Sequence, residues 1–234
     1  MSRLGVSGLL MCLAVGSAVA DIVIDRTRLI YLASEREVSV TLTNFADSPR
    51  LVQAWIDAGD AQVQPEYSDV PFSLVPPIVR IEPGKGQAVR IILQPPLEMA
   101  TETVYWLNVL SIRPNPEAQA SNTLQWAFRT RIKLFLRTRQ PPDSDQPVLR
   151  WRLTRTAPAR LEVHNPSAYH VTVSRILLVV DGTQYRSDAP PMVAPNSGLT
   201  LPLSGTLINP WGRATLHFST LDDHGITHHH EQRL

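Results

Sequence analysis

The chain has 234 residues, with 22 basic and 21 acidic side chains, 20 prolines, 11 glycines and one cysteine. A charge balance this close to neutral argues against a general polyanion binder, and a lone cysteine excludes an internal disulfide framework. The length allows one large domain or two of ordinary size, held together by burial.

The N-terminus has the pattern of a secretory signal peptide: Arg3, the apolar run LGVSGLLMCLAVG, and the small-residue site Ala18-Val19-Ala20 before Asp21. The run is too short for a lasting membrane span. Met11 precedes Cys12 where a lipoprotein site expects a small residue. Residues 1–20 are therefore set apart from the fold. Arg3 is their only charge, so the mature chain carries 21 basic and 21 acidic residues and no thiol.

Beyond Asp21, short alternating runs rich in Val, Ile and Thr recur between turn signals. After DRTRLIY (25–31) come EVSVTLTN (37–44), LVQAWID (51–57), QAVRIIL (87–93), TVYWLNVLSI (103–112), ARLEVHN (159–165) and YHVTVSRILLVV (169–180). No sustained helical periodicity appears. The pattern predicts an all-β protein built from antiparallel sandwiches. The proline-rich stretch RTRQPPDSDQPV (137–148) cannot sit inside a sheet and marks the best boundary. It separates a domain at 21–138 from one at 147–234 across a linker at 139–146, each near the size of an immunoglobulin-like sandwich. The end of the chain, DDHGITHHHEQRL, reads as a weak final strand or a frayed tail.

The segment LQWAFRTRIKLFLR (124–137) alternates throughout. Leu124, Trp126, Phe128, Thr130, Ile132, Leu134 and Leu136 share one face, and Arg129, Arg131, Lys133 and Arg137 lie on the other. Fourteen extended residues span ~46 Å, more than a small sandwich covers easily. Either a bend buries the whole apolar face, or part of it stays open for a partner. In the second case Trp126 and Phe128 are exposed anchors, each contributing ~1.5–3 kcal/mol when covered. An open edge strand of this kind invites β-augmentation. First and last strands of immunoglobulin-like sandwiches often run side by side. Arg28 and Lys133 are therefore expected to converge as two cations that an anion would join.

These motifs, in this order, resemble the periplasmic chaperones of the chaperone–usher pathway, which assemble pili. DRTRLIY is similar to that family's first strand, PPIVRIEPGKGQAVRI (76–91) to its Pro-Pro and Arg-x-Glu-Pro-Gly segment, and YWLNVLSI to its signature strand. LQWAFRTRIKLFLR resembles its subunit-binding strand, while HNPSAYHVTV (164–173) and VAPNSG (193–198) resemble second-domain motifs. The resemblance implies two immunoglobulin-like β-sandwich domains in a boomerang arrangement. It implies a periplasmic protein that lends a strand to pilus subunits and passes them to an outer-membrane usher. Arg28 and Lys133 match the pair that holds the subunit's C-terminal carboxylate, and Leu124, Trp126, Phe128 and Ile132 match the donor residues. Glu102 and Arg137 match members of an interdomain ion network whose acidic partner in the second domain falls on Pro210, so that network is expected to be incomplete or rewired. Arg113 replaces the first proline of the usual Ile-Pro-Pro, and the loop at about 113–122 is short, as in chaperones of rod-like pili.

Rival chemistries find less support. The chain holds no nucleophile elbow, zinc-protease, P-loop or dinucleotide motif, and no cofactor or enzymatic activity is expected. His224, His228, His229 and His230, with Asp222 and Asp223, read as adventitious metal affinity in an exposed tail, so no functional metal is expected. The basic stripe with its aromatic residues is not expected to bind nucleic acid in a neutral, exported chain. Nor is stable membrane insertion expected, though self-association of the free strand is compatible with the pattern. A secreted immunoglobulin-like adhesin or structural module using the same edge is the alternative, and it has no need of the Arg28/Lys133 pair.

Overall fold

The computed structural model describes residues 21–94, 99–113, 126–141, 149–154, 160–187, 190–201 and 212–234. The expected signal peptide, Leu124 and Pro210 lie outside these residues.

Two sandwiches follow one another. In the first, β1 (Ile22–Ile24), β3 (Val38–Asn44), β7 (Gly86–Leu93) and β5 (Phe72–Val75) form one sheet in the order β1-β3-β7-β5. The facing sheet has β2 (Arg28–Leu32), β9 (Ala127–Arg137), β8 (Thr103–Ile112), β4 (Arg50–Asp57) and β6 (Ile78–Ile81) in the order β2-β9-β8-β4-β6. Alternation explains the core between them. Val40, Leu42, Val89 and Ile91 point inward from one sheet, and Leu29, Tyr31, Leu107, Val109, Leu134 and Leu136 from the other.

The second sandwich pairs β10 (Arg150–Thr154), β11 (Arg160–Asn165) and β15 (Ser197–Leu201) against a larger sheet. That sheet holds β13 (Thr183–Ser187), β12 (Val171–Val180), β16 (Ala214–Leu221) and β17 (Thr227–Arg233), with β14 (Met192–Val193) also on β12. Trp151, Leu161, Val163, Ile176, Leu178, Leu216 and Phe218 fill its separate core. The polar tail is therefore not frayed. THHHEQR pairs antiparallel with β16 along its whole length, so that the backbone ladder holds a strand with little apolar surface.

Buried asparagines hold a corner in each domain. Asn165, fully buried, donates to the carbonyls of Tyr169, Val193 and Ala194 and accepts from the Ser167 amide, which accounts for Asn-Pro-Ser-x-Tyr at that turn. Asn44 does the same between Ser48, Ile81 and Ala46 in the first domain.

The first strand changes sheets. Ile22–Ile24 pairs with β3, the chain crosses at 25–27, and Arg28 opens a parallel pairing with β9. This crossing sets the geometry of the site.

Candidate functional site

The parallel register places Arg28 directly opposite Lys133, and the pairing continues to Leu32 opposite Arg137. Residues 127–132 of β9 lie upstream of that point. Among the described strands they pair only with β8, so their other backbone edge is open. The long strand thus has a paired half and an unpaired half, divided at the Arg28/Lys133 position.

Side-chain exposure divides at the same place. Trp126, immediately before β9, is 65% exposed and Phe128 is 58% exposed, while Thr130 is also exposed. From Ile132 onward the same face enters the core. Ile132 is only 7% exposed and belongs to the first domain's own cluster, which corrects the expectation that it joins the donor residues. Ile132 adjoins Lys133, where β2 joins the strand, and its side chain is part of the buried cluster between the two sheets.

Arg28 and Lys133 are both half-buried. Burial lowers the Lys133 pKa, and the neighbouring charge of Arg28 lowers it further. Burial also lowers that of Arg28, against a partial offset from the carboxylates of Asp223 and Asp222. The Arg28 Nε is buried without a hydrogen-bond partner. Among the described residues no carboxylate lies within ion-pairing distance of either cation. Two adjacent, partly desolvated cations with an unused donor form a seat for an anion, and Arg suits a carboxylate through its planar fork.

Behind the seat lies the domain junction. Arg137 has a 4% exposed side chain, not a solvated linker charge. It forms an ion pair with Glu102 Oε2 at 2.8 Å and donates to both carboxylate oxygens of Asp223 at 2.9 and 3.0 Å. Glu102 also accepts from the His170 amide at 2.7 Å and lies 2.8 Å from its Nδ1. The network is therefore present in rewired form, with carboxylates from both domains on Arg137. Its acidic partner is Asp223 in the β16–β17 turn, and the expected gap at Pro210 is corrected. In the same turn, a Cβ on Gly225 would sit 2.8 Å from Thr27 Oγ1, so the second domain closely approaches the strand crossing of the first.

The histidine-rich strand makes other use of its rings. His228 pairs with Asp222 at 2.9 Å, His229 with Ser219 at 2.8 Å and His230 with Thr220 at 2.9 Å. Among the described residues no set of three or more His, Cys, Asp or Glu side chains is arranged to hold a metal. No helix among them is long and apolar enough to cross a membrane.

Fold and site together define a two-domain immunoglobulin-like binding protein whose open strand edge ends at a pair of cations. Residues 21–142 match the N-terminal domain of PapD, a pili and flagellar-assembly chaperone, and residues 146–232 match the PapD C-terminal domain. The chain belongs to the PapD family of pilus-assembly chaperones. It is 37% identical over 224 residues to the probable fimbrial chaperone YadV of Escherichia coli K12, covering 92% of this chain and 90% of YadV. It is 36% identical over 234 residues to the chaperone FimB/FhaD of Bordetella pertussis, covering 95% and 93%. The YadV crystal structure aligns with a TM-score of 0.77 at 34% identity, over 92% of this chain and all of that one (100%). CupB2 of Pseudomonas aeruginosa aligns at 0.74 and 32% identity, over 91% and 100%.

Proposed function

We propose that this protein is a non-catalytic periplasmic chaperone that captures pilus subunits by strand donation and hands them to an outer-membrane usher. The guest's terminal strand lies along the open edge of residues 127–132, and its C-terminal carboxylate sits between Arg28 and Lys133. The register determines the direction. A guest strand in the line of β2 that ends at Arg28 runs parallel to β9. Trp126 and Phe128, with Leu124 before them, then enter the guest's unfinished core, and the bulk of Trp126 narrows the range of subunits accepted. Because side chains alternate, a one-residue slip would present Arg129 and Ala127 instead. The carboxylate seat fixes the register against that slip.

The coincidence of three features supports this reading: the open edge and the exposed aromatic residues lie along one strand segment, and that segment ends at the two cations without a carboxylate partner. A secreted adhesin would need the edge but not the cations, and family membership does not favour it.

The test uses a ten-residue peptide of alternating Val and Thr with a free C-terminal carboxylate, together with its C-terminal amide. Titration calorimetry with the purified protein should show the carboxylate form binding at least about tenfold more tightly, as a charged hydrogen-bonded contact implies. Lys133→Met should remove the difference. Equal binding of both forms by the unmodified protein would favour an edge-pairing module without a carboxylate seat.

A further inference from the structure

The open half of β9 has one strand neighbour where interior strands have two, and its even face is exposed. Such a segment ought to be loosely held. Its odd face, however, is tied down by a closed set of contacts centred on Asp57, which ends β4 and has no exposed surface.

Asp57 Oδ1 accepts from Arg131 Nη2 at 2.6 Å and from the Gly59 amide at 2.7 Å. Its Oδ2 accepts from Asn108 Nδ2 at 2.7 Å and lies 3.7 Å from Arg129 Nη2. Asn108 Oδ1 in turn accepts from Arg129 Nε at 2.9 Å and Nη2 at 2.6 Å. Arg129 Nη1 also donates to the Ala61 carbonyl at 2.6 Å. The two guanidinium groups lie over aromatic rings, Arg129 over Trp55 at 4.7 Å and Arg131 over Trp106 at 4.6 Å.

A carboxylate without solvent contact is costly unless it is paired, and here every side-chain partner belongs to β9 or to β8 beside it, while the Gly59 amide closes the turn after β4. Two arginines on one strand face would otherwise repel each other and prefer solvent. We propose that Asp57 is a positioning residue for strand donation. Through Arg129 and Arg131 it clamps the unpaired half of β9, which is extended and in register before a guest arrives. The clamp occupies only the odd face, leaving Trp126, Phe128, Thr130 and the backbone edge clear. Ordering the strand in advance removes a conformational entropy cost that would otherwise fall on binding. The inference rests on the strand-donation reading and adds residues to it that do not touch the guest.

The test compares the unmodified protein with Asp57→Asn, Arg131→Gln and the double variant. Arg131→Gln alters a partly exposed side chain and keeps the experiment decisive if the buried change impairs folding. Hydrogen exchange is followed over 127–132 and, as a reference, over 38–44 in the opposite sheet. Binding of the free-carboxylate peptide is measured in parallel. Each single change should speed exchange over 127–132 by about tenfold, leave 38–44 protected, and weaken peptide binding by a similar factor. The double variant should be little worse than either single one, because both changes break the same clamp. Unchanged exchange over 127–132, or equal acceleration over both segments, would overturn the clamp. Failure of the unmodified protein to bind peptide would overturn the donation reading, whereas normal binding by both single variants would overturn the clamp alone.

Discussion

Replacing Lys133 with Met should stabilise the free protein while it impairs capture. Lys133 and Arg28 face each other across a parallel pair, both half-buried, with no counter-ion within reach among the described residues. As a general scale, two like charges on facing positions of neighbouring strands repel by about 2–3 kcal/mol at a separation of ~6–8 Å and an effective dielectric near 20. Solvent screening of a partly exposed pair reduces this to about 1 kcal/mol. The ammonium also sits 5.6 Å from the Trp106 ring centroid, a contact contributing about 0.5 kcal/mol at such a site. Methionine keeps an apolar stem against Trp106 and sheds both the repulsion and the desolvation of the charge. The net expectation is a gain of about 0.5–1 kcal/mol, or roughly 3–6 °C in the first domain's midpoint.

The pH dependence gives a second reading of the same effect. The native Lys133 pKa lies below its unfolded value. The folded state therefore releases the proton first, and stability rises with pH between the lowered native value and the ordinary lysine range near 10.4. That rise should be present in the unmodified protein and missing in Lys133→Met. Differential scanning calorimetry from pH 7 to 10, paired with calorimetric titration of the free-carboxylate peptide, measures both halves. A variant less stable than the parent, or one that still discriminates carboxylate from amide, would refute the reasoning.

Three further expectations address other parts of the molecule. Trp126→Ala should leave thermal stability within about 0.5 kcal/mol because the ring is already exposed, yet weaken peptide capture; Ile132→Ala, at the downstream end of the open-edged half, should cost about 2–5 kcal/mol in denaturant unfolding because it empties part of the core. Asp223→Ala removes two hydrogen bonds from Arg137 and should cost about 1–2 kcal/mol, with faster limited proteolysis at the domain junction; unchanged proteolysis would mean that the bidentate contact does not hold the domains. The Asp21 carboxyl is held below its ordinary pKa by the Arg50 side chain, which is fully buried and 2.9 Å away. Its contribution should be complete above about pH 4 and lost as pH falls through the lowered native value, so the midpoint gap between parent and Asp21→Asn should shrink in acid; a constant gap down to pH 2 would exclude this pairing as the cause.

Much of this architecture is legible in the chain because period-two alternation marks half-buried strands directly. EVSVTLTN, LVQAWID, QAVRIIL and TVYWLNVLSI each lie within about a residue of an observed strand. Alternation identifies a face but does not say where that face stops being covered, and the resemblance to the family's donor residues runs along the same face to Ile132. Coverage of that face begins beside the start of β2, a property of another part of the chain. The last strand was harder to see for a different reason. THHHEQR has little apolar surface, and the ladder to β16 makes it a strand. THHHEQR reads from the sequence as a weak strand or a frayed end, and the resemblance puts the acidic partner of Arg137 at Pro210, so Asp223 in the DDHG turn is not singled out for that role. Gly225, at a φ of +83°, was the available signal, since a glycine between two short alternating runs marks such a turn.

The sheet change in the first strand joins the observations at the site. The chain leaves β3 after Ile24, crosses at 25–27 and enters the other sheet at Arg28. Where it enters, it brings a cation beside Lys133. Where it has not yet entered, β9 is left without a neighbour. The vacant edge and the charged seat are therefore consequences of one crossing, and in the proposed mode of capture a guest strand that fills the vacancy ends where the crossing finishes, at Arg28. Later entry by two residues would lengthen the vacancy but move the cationic partner away from Lys133. Earlier entry would close the edge that Trp126 and Phe128 border. On the proposed mode of capture, the position of this switch matters as much as the identity of either cation, because this register puts a strand's missing neighbour and the cationic pair in the same line.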